Sequence, residues 1–252
     1  MSQRIQKRLA HLGIASRRQI ESWIASGDVL VNGKRCLPGQ HVQGDERILV
    51  CGTPVDLHAR VPTRVLLYHK PVGEIVTRSD TQQRTTVFDR LPALESGRWV
   101  AVGRLDLNTS GLLLLTTDGA LAHALMHPGS GLEREYRVRV HGTITEEMVS
   151  GLRLGVELED GTARMDVLDV QASTGANTWS RAVLQEGRNR IVRRLWESQG
   201  LEVSHLVRVR FGPLRLPDTL RAGTSLELSP AEVGQLYRAI GKSPGHAQGH
   251  QP

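Results

Sequence analysis

Apolar positions follow two rhythms along this chain. In the first fifty residues Ile5, Leu9 and Leu12 recur at helical spacing, with Arg4, Lys7 and Arg8 on the other side, which predicts a short amphipathic helix. SRRQIESWIASG predicts a second. Ser16 and Gln19 have capping-box spacing, Ile20, Trp23 and Ile24 form one apolar face, and Gly27 is the stop. Val29 and Val31 then alternate before Asn32-Gly33, a pair that tolerates the positive φ of a tight hairpin turn, and ERILV (46–50) offers a returning strand. From residue 64 short strands dominate: RVLLYHK, WVAVG, LLLLT, REYRVRV, MDVLDV, SRAVLQ and HLVRVRF. Helices are predicted at 119–127, 145–153, 188–199 and 230–240, each bounded by a Ser, Thr, Asp or Gly signal. Strands outnumber helices without alternating with them. The expected fold class is therefore α+β, a mixed, mainly antiparallel sheet domain preceded by a small helix-and-hairpin unit.

These rhythms divide the chain into a first unit at 3–50, a linker at 51–63, a larger domain at 64–240 and a flexible tail at 241–252. The linker is expected because CGTPVDLHARVPTR holds two prolines and no clear period, and the tail because GKSPGHAQGHQP is rich in Gly, Pro and His.

Composition adds a partner. The 252 residues carry a formal net charge of +6, and 39% apolar content is enough for a packed core. Excess positive charge points to an anionic partner, nucleic acid first. On the first unit Arg4, Lys7, Arg17, Arg18, Lys34 and Arg35 form a candidate surface for such a partner; the alternative is a solvated basic face that serves solubility. No apolar run nears the ~20 residues of a membrane span, so no membrane partner is expected. The start, MSQRIQKRLAHLG, lacks the apolar core of a signal peptide, and Cys36 and Cys51 are too few for a disulfide framework. A cytoplasmic protein with reduced thiols is the expectation, and a monomer.

Candidate chemistry centres on GRLDLNTSGLLLLTTDG (103–119). Asp106 lies on a loop between two apolar runs, with Asn108, Thr109, Ser110 and Gly111 supplying turn chemistry. It either folds the loop onto its own amides or acts on a substrate. In REYRVRV, Tyr136, Val138 and Val140 share one strand face, so Tyr136 reads equally as a core tyrosine. Lys70-Pro71 reads as a strand-end turn or as support beneath a site. His123 and His127, four apart, lack a third ligand and the glutamate of HExxH, and Cys36 and Cys51 have no CxxC partner, so no metal is expected. Neither GxGxxG nor GxxxxGK occurs, which leaves nucleotide cofactors without support.

The 103–119 stretch resembles the catalytic signature of the RsuA/RluB branch of pseudouridine synthases, GRLD-x-x-[TS]-x-GLLL-x-T-x-DG. YHKPVGEIVT (68–77), REYRVRV (134–140), EGRNRIVRRLW (186–196) and VSHLVRVRFGPLRL (203–216) resemble its other motifs, in the same order. Residues 3–50 resemble the S4 RNA-binding module that precedes the catalytic domain in this branch. EGRNR with RRLWE, and DGALAHALMHP, resemble the large-subunit rRNA enzymes in particular.

The resemblance implies that Asp106 is the essential catalytic carboxylate. It implies a central cleft across the sheet domain, that Tyr136 stacks on the target base and takes part in removing its C5 proton, that Arg193 pairs with the aspartate, and that Leu206 packs beside the base. Arg104, Arg188, Arg190 and Lys70 join Leu206 as expected substrate-binding residues, with Arg188, Arg190, Arg193 and Arg194 on one helix facing phosphates. Arg208, Arg210 and Arg215 would extend that charge. The implied reaction turns a uridine of 23S ribosomal RNA into pseudouridine, on free RNA or an assembling large ribosomal subunit. It exchanges no atoms and so needs no cofactor. The same chemistry on 16S rRNA or tRNA, and a non-catalytic RNA-binding or ribosome-assembly role, are the alternatives. Asp106 would act as a nucleophile or as a base on the sugar.

Overall fold

A computed structural model describes residues 2–59 and 61–243. Of the expected tail 241–252, residues 244–252 lie outside the described residues. The first unit runs β1 (Gln3–Arg4), α1 (Ile5–His11), α2 (Arg17–Ser26), β2 (Val29–Val31), β3 (Lys34–Arg35), β4 (His41–Val42), β5 (Ile48–Val50) and β6 (Thr53–Val55). Ser16 caps α2 by accepting from the Gln19 amide at 3.1 Å, and Gly27 closes the helix in the left-handed region at φ 87°. Asn32 and Gly33 both have positive φ, as the hairpin between β2 and β3 requires. β5 returns antiparallel to β2. Ile5, Leu9, Ile20, Ile24, Val29 and Ile48 form the core.

The linker expected at 51–63 is corrected. A second hairpin turns at Cys51-Gly52 and places β6 against β5, and Leu57 and Val61 are buried in the first unit's core. Arg8 holds the strip in place by donating from Nε to the Leu57 carbonyl at 2.9 Å. Proline on this edge strand removes no ladder bond the sheet needs.

The larger domain runs β7 (Val65–Lys70), β8 (Val100–Ala101), β9 (Ser110–Thr116), α3 (Gly119–Met126), β10 (Arg134–His141), α4 (Glu146–Leu154), β11 (Val156–Leu158), β12 (Gly161–Ala163), β13 (Val167–Thr174), β14 (Asn177–Leu184), α5 (Ile191–Glu197), β15 (Glu202–Phe211), β16 (Leu214–Arg215), β17 (Ser225–Glu227) and α6 (Pro230–Ala239). Its main sheet has the order β13-β14-β10-β15-β9-β7-β17, with β16 on β15 and β8 on β9. Among the described strands every pairing is antiparallel except β15 with β9, which meet only at Val207↔Ser110 and Arg208↔Gly111. This short parallel seam joins two halves. One packs α4 and α5 around Val138, Leu152, Leu195 and Trp196; the other packs α3 and α6 around Leu112, Leu114, Leu121 and Leu236. The LLLL run of β9 is continuous because both faces are covered: Leu112 and Leu114 point into one core, Leu113 and Leu115 into another.

The two units meet backbone to backbone. A Cβ on Gly13 would lie 2.4 Å from the Gly97 Cα, and one on Gly97 would lie 2.6 Å from Val61 Cγ1. Thr117 Oγ1 donates to the Pro62 carbonyl at 2.7 Å, anchoring the crossing chain.

Candidate active site

Asp106 sits half-buried on the loop that enters β9, at the floor of a cleft of about 760 Å³ that straddles the parallel seam. Leu105 turns into the core beneath while Arg104 is exposed at the cleft wall, so the loop alternates inward and outward. Four successive carbonyls of the loop are bonded. Asp106 O accepts from the Thr109 amide and from Lys70 Nζ, both at 3.0 Å, and Leu107 O from the Gly73 amide at 2.9 Å. Asn108 O accepts from Arg193 Nη2 at 2.8 Å, and Thr109 O from Lys70 Nζ at 2.8 Å. A loop with four successive carbonyls engaged holds its carboxylate in one place without ordering it at the moment of reaction.

Lys70 is therefore not a substrate-binding residue. It is 0% exposed, and its ammonium donates to the carbonyls of Pro71, Asp106 and Thr109. An ammonium has three protons, so none is left for a ligand. Burial lowers its pKa to about 8 against the opposing pull of Glu74 and Asp106.

Arg193 is also repositioned. It is expected to pair with Asp106, yet its two terminal nitrogens donate to the carbonyls of Val203 and Asn108, both at 2.8 Å. Among the described residues Asp106 has no ion pair within 4.0 Å. Arg193 positions the aspartate through the backbone two residues on. Burial lowers its pKa first, Arg190 adds to that, and the charge of Asp106 opposes it.

Tyr136 and Leu206 both line the cleft, on β10 and β15. The alternation expected of REYRVRV holds, with Tyr136, Val138 and Val140 buried and Arg137 exposed. Tyr136 pairs across the ladder with Arg208, and Leu206 with Val138, which puts these side chains on one sheet face.

The expected helix at 188–199 begins later, at Ile191, because Arg190 adopts the left-handed conformation at φ 49°. Arg188 precedes the helix, and its guanidinium is occupied by Glu186, Asp160 and the carbonyls of Gly161 and Thr162. Arg194 grips the same Asp160 at 2.8 and 3.0 Å. Arg188 thus ties the β11–β12 hairpin to the cleft wall and leaves no donor for substrate, whereas Arg190 stays exposed with one bond to Glu197 at 3.2 Å. Arg210 does not extend a phosphate track either, because it holds buried Glu135 together with Arg181; Arg215 reaches the same carboxylate only at 3.5 Å and stays exposed. Burial pushes the Glu135 carboxyl up, but its hydrogen bonds from Arg181 and Arg210 and the charges of Arg181 and Arg215 prevail and bring its pKa to about 2.

Two groups that line the cleft have a place the sequence did not indicate: Arg208 is expected only to extend a phosphate-facing charge, and Thr109 only to supply turn chemistry. Arg208 is 4% exposed, donates from Nε to the Leu112 carbonyl at 2.8 Å and keeps both terminal nitrogens unbonded among the described residues. Thr109 is 2% exposed, and its Oγ1 has no partner among them. The available signal was period two: Arg208 lies two residues from Leu206 on the same strand. Gly111 admits Arg208, since a Cβ there would lie 2.2 Å from the Arg208 carbonyl oxygen.

The match to known proteins follows this layout. Residues 64–198 match the model of the RNA pseudouridylate synthases and residues 3–48 that of the S4 domain. The chain belongs to the RNA pseudouridylate synthase family. It is 50% identical over 247 residues to the "Ribosomal large subunit pseudouridine synthase B" of Pseudomonas aeruginosa, which covers 97% of this chain and 64% of that protein. Proteins of the same name from Haemophilus influenzae and Vibrio cholerae are 48% and 49% identical, each over 95% of this chain. The chain spans 68% and 76% of their lengths. A solved structure described as "Crystal structure of pseudouridylate synthase" superposes with a TM-score of 0.65 at 23% identity, covering 92% of this chain and 99% of that one. The two share a fold. On the S4 unit of this chain, Arg4, Lys7, Arg17, Arg18, Lys34 and Arg35 are all exposed, and none has an ion-pair partner among the described residues. No helix among the described residues is long and apolar enough to cross a membrane.

Proposed function

We propose that this protein converts a uridine of 23S ribosomal RNA into pseudouridine, with Asp106 as the essential carboxylate. The observation that carries the reading is the Asp106 loop, whose four bonded carbonyls hold a carboxylate in a cleft shared with Tyr136 and Leu206. The reaction breaks the N1–C1′ bond, turns the freed uracil, joins C5 to C1′ and releases the C5 proton while N1 takes up a proton, so the product is an isomer of the substrate. Every other atom stays, so no cosubstrate is consumed. Asp106 acts at the sugar, where breaking a glycosidic bond calls for a fixed anion. Tyr136 gives the turning base a flat platform with Leu206 beside it. A paired or stacked uridine has to swing out first, at a cost of a few kcal/mol. Arg104 and Arg190, exposed on the cleft wall, are the cations suited to steady the opened strand.

The substrate reading draws on the relatives, each named a large-subunit enzyme. The partner is 23S rRNA, free or within an assembling large subunit, met by a cytoplasmic monomer whose S4 cations add affinity with little sequence choice. The test is Asp106→Asn, assayed by pseudouridine mapping on 23S rRNA, 16S rRNA and tRNA. Asparagine keeps the shape of the side chain, so RNA affinity is expected to stay while isomerisation of 23S rRNA falls about 1,000-fold or more. Equal activity of both proteins overturns the catalytic assignment. Product confined to 16S rRNA or tRNA overturns the substrate.

A further inference from the structure

A second concavity, of about 580 Å³, opens between the two units. Lys7 and Arg17 enter it from the S4 unit, and His123, His127 and Lys242 from the larger domain; no acidic side chain among the described residues lines it. All five are exposed, and Lys7, Arg17 and Lys242 have no ion-pair partner among the described residues. The histidines add donors. His127 Nδ1 accepts from the Gly129 amide at 3.0 Å, so the neutral ring carries its proton on Nε2, which remains a donor. His123 lies edge-on to it with ring centroids 6.0 Å apart. Ser130 adds a hydroxyl without a partner among the described residues. Gly119 and Ala120 give the pocket a floor of small side chains, and a Cβ on Gly119 would meet nothing within 4 Å.

Position supplies the second argument. The segment from Met126 to Ser130 is a shared wall: Met126 and Pro128 line the catalytic cleft, while His127, Gly129 and Ser130 line the basic pocket. A strand whose base enters the cleft must carry its backbone past one of the cleft walls, and behind this one wait cations and N–H donors, with no carboxylate among the described residues that line the pocket. The Gly13, Gly97 and Val61 contacts set the spacing of the two units, so Lys7 and Arg17 face His127 and Lys242 across a defined gap.

We infer that this interdomain pocket binds a backbone phosphodiester of the RNA strand whose uridine occupies the cleft, with Lys7, Arg17 and Lys242 supplying charge and His127 Nε2 a hydrogen bond. The inference rests on the RNA-modifying reading above. It gives the S4 unit a second role: beyond general affinity, it closes one side of a phosphate clamp that sets how far the strand advances into the site.

The experiment is phosphate-ethylation interference on a 23S rRNA transcript, comparing the full chain with its K7A/K242A double variant. For the unaltered chain, ethylation is expected to block binding at several phosphates near the modified uridine. The variant is expected to lose that sensitivity at one or two of them and keep the others. Its affinity is expected to fall about tenfold at 0.15 M salt, and the dependence of log K on log salt to become shallower by about one to two. Identical interference patterns, an even loss across all phosphates, or no interference with the unaltered chain would each overturn the inference. Pseudouridine formation by the unaltered chain on the same transcript reports separately on the functional reading.

Discussion

The exposed cations of the S4 unit and the engaged cations of the larger domain are the same chemical groups put to opposite uses. Arg4, Lys7, Arg17, Arg18, Lys34 and Arg35 stand in solvent without ion-pair partners among the described residues. In the larger domain Arg181, Arg188, Arg194 and Arg210 grip carboxylates, while Lys70 and Arg193 are buried against carbonyls. A free cation is available to a polyanion at long range. An occupied one shapes the site, because its donors lock backbone that would otherwise move. Counting charge along the chain merges these two uses.

The sharpest way to separate them is Lys70→Met. Removing the ammonium strips a donor from three carbonyls, one of them buried and two partly so, and stability is expected to fall by about 3 kcal/mol in a denaturant titration. The loosened Asp106 loop is expected to cost about 100-fold in single-turnover rate. The wild-type rate should also decline as pH rises through about 8, where Lys70 loses its proton and one carbonyl loses its donor. The sign for folding is opposite. Unfolded lysine titrates near 10.5, so the cost of burying the charge is full below 8 and is relieved as pH climbs toward 10.5. An unchanged rate and stability in K70M would place Lys70 outside the loop's support.

Glu135 tests the structural arginines at smaller amplitude. Its carboxylate is held at about 2 against an ordinary value of 4.5, so its stabilisation is complete above 4.5 and disappears as pH falls toward 2. Glu135→Gln is expected to lower stability by about 2 kcal/mol at neutral pH, because its arginine partners are partly exposed and screened. It should also flatten the acid limb of a melting-temperature profile, whereas an equally steep limb in both proteins would show that other groups set it.

Lys34→Ala and Arg35→Ala should do least. Both side chains are exposed, so stability is expected to change by no more than about 0.5 kcal/mol. Each change should weaken RNA binding modestly and reduce the salt slope by about one. A salt slope untouched by both would return these residues to a solvated face.

Legibility in the sequence followed the range of the interaction. Period-two alternation located Tyr136, Val138 and Val140 on one face of β10, and Ser16 and Gly27 marked both ends of α2. The Asp106 loop stood out through its glycines and turn residues. The strip at 51–63 was misread because its two prolines hid β6, whose pairing is evident only once β5 lies beside it. Helix α5 started three residues late because Arg190 takes a left-handed conformation, with Arg188 held outside the helix by the β11–β12 hairpin.

The chain alone determined its local elements, its basic balance and the loop that carries Asp106, because each depends on neighbours within a few positions. Tertiary structure decided which cations stay free. Lys70 lies 36 residues from the carbonyl of Asp106 that it bonds, and Arg193 lies 85 from that of Asn108. Whether a guanidinium or ammonium meets water, phosphate or a backbone oxygen depends on what folding brings beside it, and spacing along the chain holds no record of that.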